Sequence, residues 1–214
     1  MAFPTTGLLD NFNRADADSL GADWMLSGLN YAWTRAGEIK SNQAGADDSG
    51  DSDSNDWYDA STFGPDCEIH YDVIGGDYFE LELRLVTPAT TGVDGYVVSV
   101  SRGATPDAWD FFRVDNGAST KLGATVSQNV ANGDSIGAEM IGSTLTAYLK
   151  PSGGSWGAVG NRSDGTHGGA GYLGTYLSPE ATALIDNFSG GTVVAAPAPS
   201  AYRPALRALL GVGR

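Results

Sequence analysis

A chain of 214 residues with 41% apolar residues and five Trp is long enough to bury a sizeable core in one large β-domain or two smaller units. A formal charge of −14, from 12 basic and 26 acidic residues, excludes the basic footprint of a nucleic-acid binder and points to neutral or basic partners. No run approaches the roughly 18 apolar residues of a membrane span, and the start, residues 1–7, lacks the basic and apolar regions of a secretion signal, so neither membrane insertion nor classical secretion is expected.

In chain order, Leu8-Leu9-Asp10-Asn11-Phe12 reads as a first strand, and it is echoed by Leu184-Ile185-Asp186-Asn187-Phe188 just before Ser189-Gly190-Gly191. The echo predicts first and last strands of one domain, close neighbours in one sheet, with Phe12 and Phe188 buried. Trp24 and Trp33 are expected as core-edge aromatics, with short strands over 31–34 and 38–40. Residues 44–56, rich in Asp, Ser and Gly with nothing apolar larger than Ala, read as a solvated loop.

Alternation of apolar and polar residues predicts strands over 67–73 and 78–85, the second with Phe79, Leu81, Leu83 and Leu85 toward a core and Glu80, Glu82 and Arg84 away from it. Cys67, the single cysteine, falls on the first of these and is expected as a buried thiol. Strands over 96–101 and 109–114 follow, then Asn116-Gly117 as a hairpin signal. The segments 136–141 and 144–149 flank Gly142-Ser143, whose leading Gly suits a type II′ turn. Trp156, 168–176 and 181–188 complete about a dozen strands with no helical period, which predicts an all-β, two-sheet antiparallel sandwich. The domain is expected to span 1–191, followed by a C-terminal extension over 192–214.

The motifs Asp10-Asn11-Phe12-Asn13-Arg14-Ala15-Asp16, Leu20-Gly21-Ala22-Asp23-Trp24, Ile141-Gly142-Ser143-Thr144-Leu145, Gly171-Tyr172-Leu173-Gly174 and Ile185-Asp186-Asn187-Phe188 resemble, in order and spacing, the concanavalin A-like, laminin-G-like jelly-roll modules. The resemblance runs from about residue 8 to 191 and implies that fold. Such modules occur in carbohydrate-binding proteins, glycosidases, polysaccharide lyases and bacteriophage structural proteins, and fold alone does not choose among them.

Three site chemistries follow. Glu80 and Glu82, two apart on one strand, lie on one face about 6.5–7 Å apart, a spacing compatible with glycosidic-bond hydrolysis. Laminarinase-like glycosidases of the fold that this chain resembles carry Glu-x-Asp-x-x-Glu; here Glu82 stands at the middle position and Leu85 at the third, so no catalytic residue is assigned. His70 and His167, the only histidines, are read as a strand residue and a loop residue. Calcium is the candidate metal: Asp51 and Asp53 alternate like ligands of a calcium loop, but Asp56 and Thr62 stand where an EF-hand needs Gly and Glu, which leaves a looser site from Asp10, Asp51, Asp53 and Asp186. For a glycan, Trp57, Tyr58, Tyr78, Trp109 and Trp156 are the aromatics nearest polar loops.

The tail opens with an Ala/Pro-rich linker over 193–200. Pro204, Leu206, Arg207, Leu209 and Leu210 then suit a short amphipathic helix, read as an anchor to another chain, and all three charges after Val194 are arginines. The expected role is a non-enzymatic virion surface module, such as a phage capsid decoration, head fibre or tail component, whose partners are other virion proteins through the tail and possible cell-surface glycans. The alternatives are a carbohydrate-binding module and a glycan-cleaving enzyme. No cofactor is required on the first reading.

Overall fold

The computed structural model describes residues 2–27, 34–46, 53–89, 91–103, 105–178 and 183–194. Among them the regular structure is entirely strand, 17 in number and labelled here in chain order. One sheet runs β15 (Gly157–Ser163), β14 (Thr144–Lys150), β13 (Ser135–Ile141), β7 (Cys67–Gly75), β17 (Leu184–Thr192), β5 (Gln43–Gly45) and β4 (Glu38–Lys40), with β1 (Leu8–Asp10) also paired to β17. The other runs β11 (Ala118–Lys121), β10 (Ala108–Asp115), β9 (Asp94–Ser101), β8 (Tyr78–Val86), β16 (Tyr172–Leu177), β6 (Asp53–Tyr58) and β2 (Trp24–Leu26). The short strands β12 (Val126–Ser127) and β3 (Thr34–Arg35) attach to β10 and β6 respectively. All pairings are antiparallel except β3 with β6.

Period-two alternation on β7 and β8 builds the interior. Ile69, Tyr71 and Val73 from one sheet meet Phe79, Leu81 and Leu83 from the other, all buried in one core cluster. Cys67 belongs to the same core, and burial pushes its thiol up to about 12, the state of an inert packing residue. The echoed segments are neighbours, with Leu8 opposite Ser189 and Asp10 opposite Phe188. Phe12 and Phe188 are both buried, and their rings lie 5.7 and 4.7 Å from that of Trp24. The sheet continues past residue 191: β17 ends at Thr192, and Val193 donates its N–H to the Asp66 carbonyl. Pro204, Leu206, Arg207, Leu209 and Leu210, with Trp33 and Asp51, lie outside the described residues.

Both two-residue hairpins have the expected geometry. Asn116 (φ 48) and Gly117 (φ 78) are both left-handed, as type I′ requires, whereas at the second hairpin only Gly142 (φ 56) is, as in type II′.

Three expectations are corrected. The acidic run over 44–56 is not all loop: its first residues end β5, and 53–56 open β6, an interior strand of the second sheet on which Ser54, Asn55 and Asp56 are buried. Polarity misleads there because the polar groups bond to one another. The Ser54 hydroxyl and the Gly37 N–H both donate to Asp56 Oδ2, and burial still pushes this carboxyl up to about 6. Secondly, the segment 168–176 becomes strand only from Tyr172, while β11, β12 and β15, which carry exposed or half-exposed residues without a hydrophobic stripe, were not legible as strands.

Thirdly, Arg84 and Leu85 exchange faces. A bulge interrupts the β8–β9 register between Leu83 and Val86, and Arg84 adopts φ 53. The Arg84 side chain is 1% exposed and its guanidinium donates to the carbonyls of Pro65, His167 and Gly142, holding three loops at one end of the sandwich. Glu82, expected in solvent, is likewise 1% exposed.

Candidate functional site

The outer face of the second sheet is assembled from alternate residues of adjacent strands, so its rows can be read across the register. One row is Asn55, Tyr176, Glu80 and Ser99, and the next is Trp57, Gly174, Glu82, Val97 and Phe112. Along β8 the inward Phe79, Leu81 and Leu83 fix Tyr78, Glu80 and Glu82 on this outer face. Between the rows lies a groove of ≈ 280 Å³. One side is polar, with Asn55, Glu80 and Glu82; the other is apolar, where Phe112 and Val114 pack with Val93 and Val97. Tyr78 and Tyr176 stand edge to face at 5.5 Å, and the β10–β11 hairpin adds Gly117 and Ser119.

The two acids differ in depth. Glu80 is partly exposed and accepts a bond from the Tyr78 hydroxyl at 2.5 Å. Removal from water raises its carboxyl to about 7, against the opposing effect of that bond. Glu82 lies on the floor, where an alanine Cβ at Gly174 would come within 2.4 Å of its Oε2. Its carboxyl is pushed well above the usual range by burial first and by the charge of Glu80 second. Asn55 Nδ2 donates to Glu82 Oε1 at 3.1 Å, while Glu82 Oε2 and Asn55 Oδ1 are buried without a hydrogen-bond partner among the described residues. The bulge after Leu83 also sets Leu85 beside Glu82 against Gly174, on the outer face. The third place of the Glu-x-Asp-x-x-Glu pattern therefore joins this face, and it carries an apolar side chain.

The predicted aromatics do not form one platform. Tyr78 lines the groove. Trp57 is on the same face but 5% exposed, its ring closed against Tyr172 at 4.3 Å. Trp109 is 0% exposed in the interior, with its indole N–H donated to the Gln128 carbonyl, so neither ring face can meet a ligand. Tyr58 packs between the sheets against Trp24 and Phe188. Trp156 lies on the outer face of the opposite sheet, against Phe3 and His70. Tyr176, Phe112 and Asn55 were not anticipated, because only strand register brings them beside Tyr78. The signal for Asn55 was hidden in a run that read as loop.

The calcium candidates are likewise dispersed. Both oxygens of Asp10 are occupied: Oδ1 accepts the Phe12 N–H and an Arg14 N–H, and Oδ2 accepts a second Arg14 N–H and the Trp24 indole N–H. Asp186, on the neighbouring β17, accepts the Asn187 N–H, and Asp53 starts β6 in the other sheet. Among the described residues no three His, Cys, Asp or Glu side chains come together to hold a metal ion. Asp10, Asp53 and Asp186 form no calcium site among the described residues, and Asp51 lies outside them. His167 Nε2 lies 3.0 Å from Asp115 Oδ1, within a loop cluster that includes Arg113 and Asp164, and His70 packs under Phe3; neither touches the groove.

No protein-family model matches the chain, and no curated protein matches it in sequence. Solved structures do. The carbohydrate-binding module CBM66 from Bacillus subtilis superposes with a TM-score of 0.54 at 20% identity, covering 79% of this chain and 96% of that one. A protein of unknown function with a galectin-like fold, also from Bacillus subtilis, gives 0.61 at 11% identity, with 86% and 96% covered. The fold is a concanavalin A-like jelly roll. The exoplasmic/lumenal domain of VIP36 in its Ca2+/Man3GlcNAc-bound form belongs to the same set, with a TM-score of 0.57 at 14% identity over 83% of this chain and 86% of that one. A legume lectin-like domain from Entamoeba histolytica is a further neighbour, with a TM-score of 0.54 at 11% identity over 80% of this chain and 91% of that one.

Proposed function

We propose that the protein is a non-catalytic carbohydrate-binding domain whose ligand lies in the groove over β8, β9 and β16. The observation that carries this reading is the division of one groove into an apolar wall, Phe112 with Val97 and Val114, and a polar wall, Glu80, Glu82 and Asn55. A pyranose has the same division, with C–H groups on one face and hydroxyls around its rim, and sites for small ligands combine apolar lining with a few placed polar groups. The fold-level likeness to CBM66 and to the sugar-bound VIP36 domain supports the reading. The virion role expected from the sequence gains no support from these neighbours, and its anchor lies outside the described residues.

The test is a glycan array followed by titration calorimetry of the strongest hit. Tyr176→Ala and Phe112→Ala are expected to lose most of the affinity, and Trp156→Ala to keep it. Binding that survives both groove substitutions, or the absence of any hit, overturns the proposal.

A further inference from the structure

The polar wall of the groove brings two acids and an amide carbonyl together. Its two carboxyls, once ionised, and the Asn55 carbonyl are acceptors; the Tyr78 hydroxyl is given to Glu80 and one Asn55 Nδ2 N–H to Glu82, while the other hydroxyls on the groove, those of Tyr176 and Ser119, belong to β16 and β11. Glu82 Oε2 and Asn55 Oδ1 are buried on residues 1% and 2% exposed and have no partner among the described residues. A buried acceptor left unmet costs roughly 1 to 3 kcal/mol. The two acids keep their protons because burial and their mutual charge oppose ionisation. A positively charged donor group between them would draw both to the ionised, acceptor-only form, so this wall is matched to a cationic ligand that donates several bonds. Among the described residues no Lys, Arg or His lines the groove, and Lys121, on the neighbouring β11, reaches Asp110 at 2.8 Å and the Thr125 hydroxyl at 2.7 Å.

Building on the carbohydrate reading above, we infer that the groove selects a glycan bearing a free protonated amino group, that is, an unacetylated amino sugar. An ammonium offers three donors and no acceptor, whereas a sugar hydroxyl brings one donor and two lone pairs that would face other acceptors. Glu80, partly exposed above the floor, is the first contact for the ammonium. Glu82 and Asn55 lie below it and supply the two unmet acceptors. The rings of Tyr78 and Tyr176 bound the same end of the groove, and an aromatic face beside a cation adds to the attraction.

The test compares three β-1,4-linked trisaccharides that differ only at C2, namely the glucosamine trimer, its N-acetylated counterpart and the glucose trimer. They are titrated into the full chain near neutral pH at physiological salt, beside a tri-lysine peptide. The glucosamine trimer is expected to bind about tenfold tighter than the glucose trimer, the difference between a charge-assisted and a neutral hydrogen bond. Glu80→Gln and Glu82→Gln should each abolish that preference, weakening the glucosamine trimer about tenfold more than they weaken the glucose trimer. Asp59→Asn, an exposed carboxylate outside the groove, should leave the preference intact. Should Glu82→Gln fail to fold, Glu80→Gln alone decides. Equal affinities for the three sugars, or a preference that survives Glu80→Gln, overturn the amino-sugar inference and leave the carbohydrate reading standing. Binding of none of the sugars overturns both. Tighter binding of tri-lysine than of the glucosamine trimer overturns it in favour of a basic peptide.

Discussion

The carboxyl of Glu82 occupies the space that a side chain at Gly174 would need: an added Cβ would sit 2.4 Å from Glu82 Oε2 and 3.0 Å from the Asp56 carbonyl. Glycine on β16 is thus what lets the acid of β8 lie flat on the groove floor. Gly174→Ala must displace either the buried carboxyl or the backbone of β6. Overpacking of this kind costs about 1 to 3 kcal/mol, and the shift should weaken ligand binding at the same time. Denaturant unfolding and calorimetry on one variant read both effects; a variant with parental stability and affinity would show that Glu82 is free to move.

Phe12 and Phe188, the last residues of the two echoed segments, close on the same Trp24. Truncating either to Ala should destabilise the fold by about 3 to 5 kcal/mol. Because the rings share a neighbour, the double variant should lose less than the sum of the single losses. Thermal or urea unfolding checks this, and an unchanged midpoint for Phe12→Ala would refute the closure of the domain through its two ends.

Stability should decline from mildly acidic to alkaline pH. The folded state holds Glu80 at about 7 against an ordinary 4.5, and Asp56 at about 6 against 3.8. Both are raised acids, so the folded chain keeps protons that the unfolded chain has released, and stability falls as pH rises through those values. Asp164 is held at about 2 against 3.8, by hydrogen bonds from Thr166, Tyr96 and Arg113 that outweigh its desolvation, and this contribution is lost only as pH falls through that range. The optimum is therefore expected near pH 4. The rise at Glu80 corresponds to at most about 3 to 4 kcal/mol, and Glu80→Gln should flatten the decline between pH 5 and 8 by up to that amount. Urea midpoints measured across pH would contradict this if stability rose toward pH 8.

Hydrolysis is not expected despite the paired acids. Glu80 and Glu82 share a face at about 6.5–7 Å, but the residue that the bulge sets on that face is Leu85, which cannot move a proton. Reducing-sugar release from β-glucans should stay at the background of a denatured control. Release that disappears in Glu80→Gln or Glu82→Gln would establish an enzyme instead.

Much of the fold was legible along the chain, because alternation at period two is imposed locally by the pleat. The buried stripe of β8 through Leu83, the hairpins at Asn116-Gly117 and Gly142-Ser143, and the pairing of the two echoed segments all follow from short segments whose apolar faces need covering. The site was not legible in this way. Asn55, Tyr176, Glu80 and Phe112 are scattered over four strands, and only register places them side by side. Burial of the polar strand β6 could not be read either, since a run of Asp, Ser and Asn is excluded from a core unless partners such as the Gly37 N–H satisfy it, and those partners come from elsewhere in the chain. The same holds for Arg84, whose inward turn depends on a bulge and on three carbonyls supplied by distant loops. Local sequence determined which faces are apolar; tertiary pairing decided which polar groups meet, because hydrogen bonding and desolvation depend on neighbours that the order of residues does not specify.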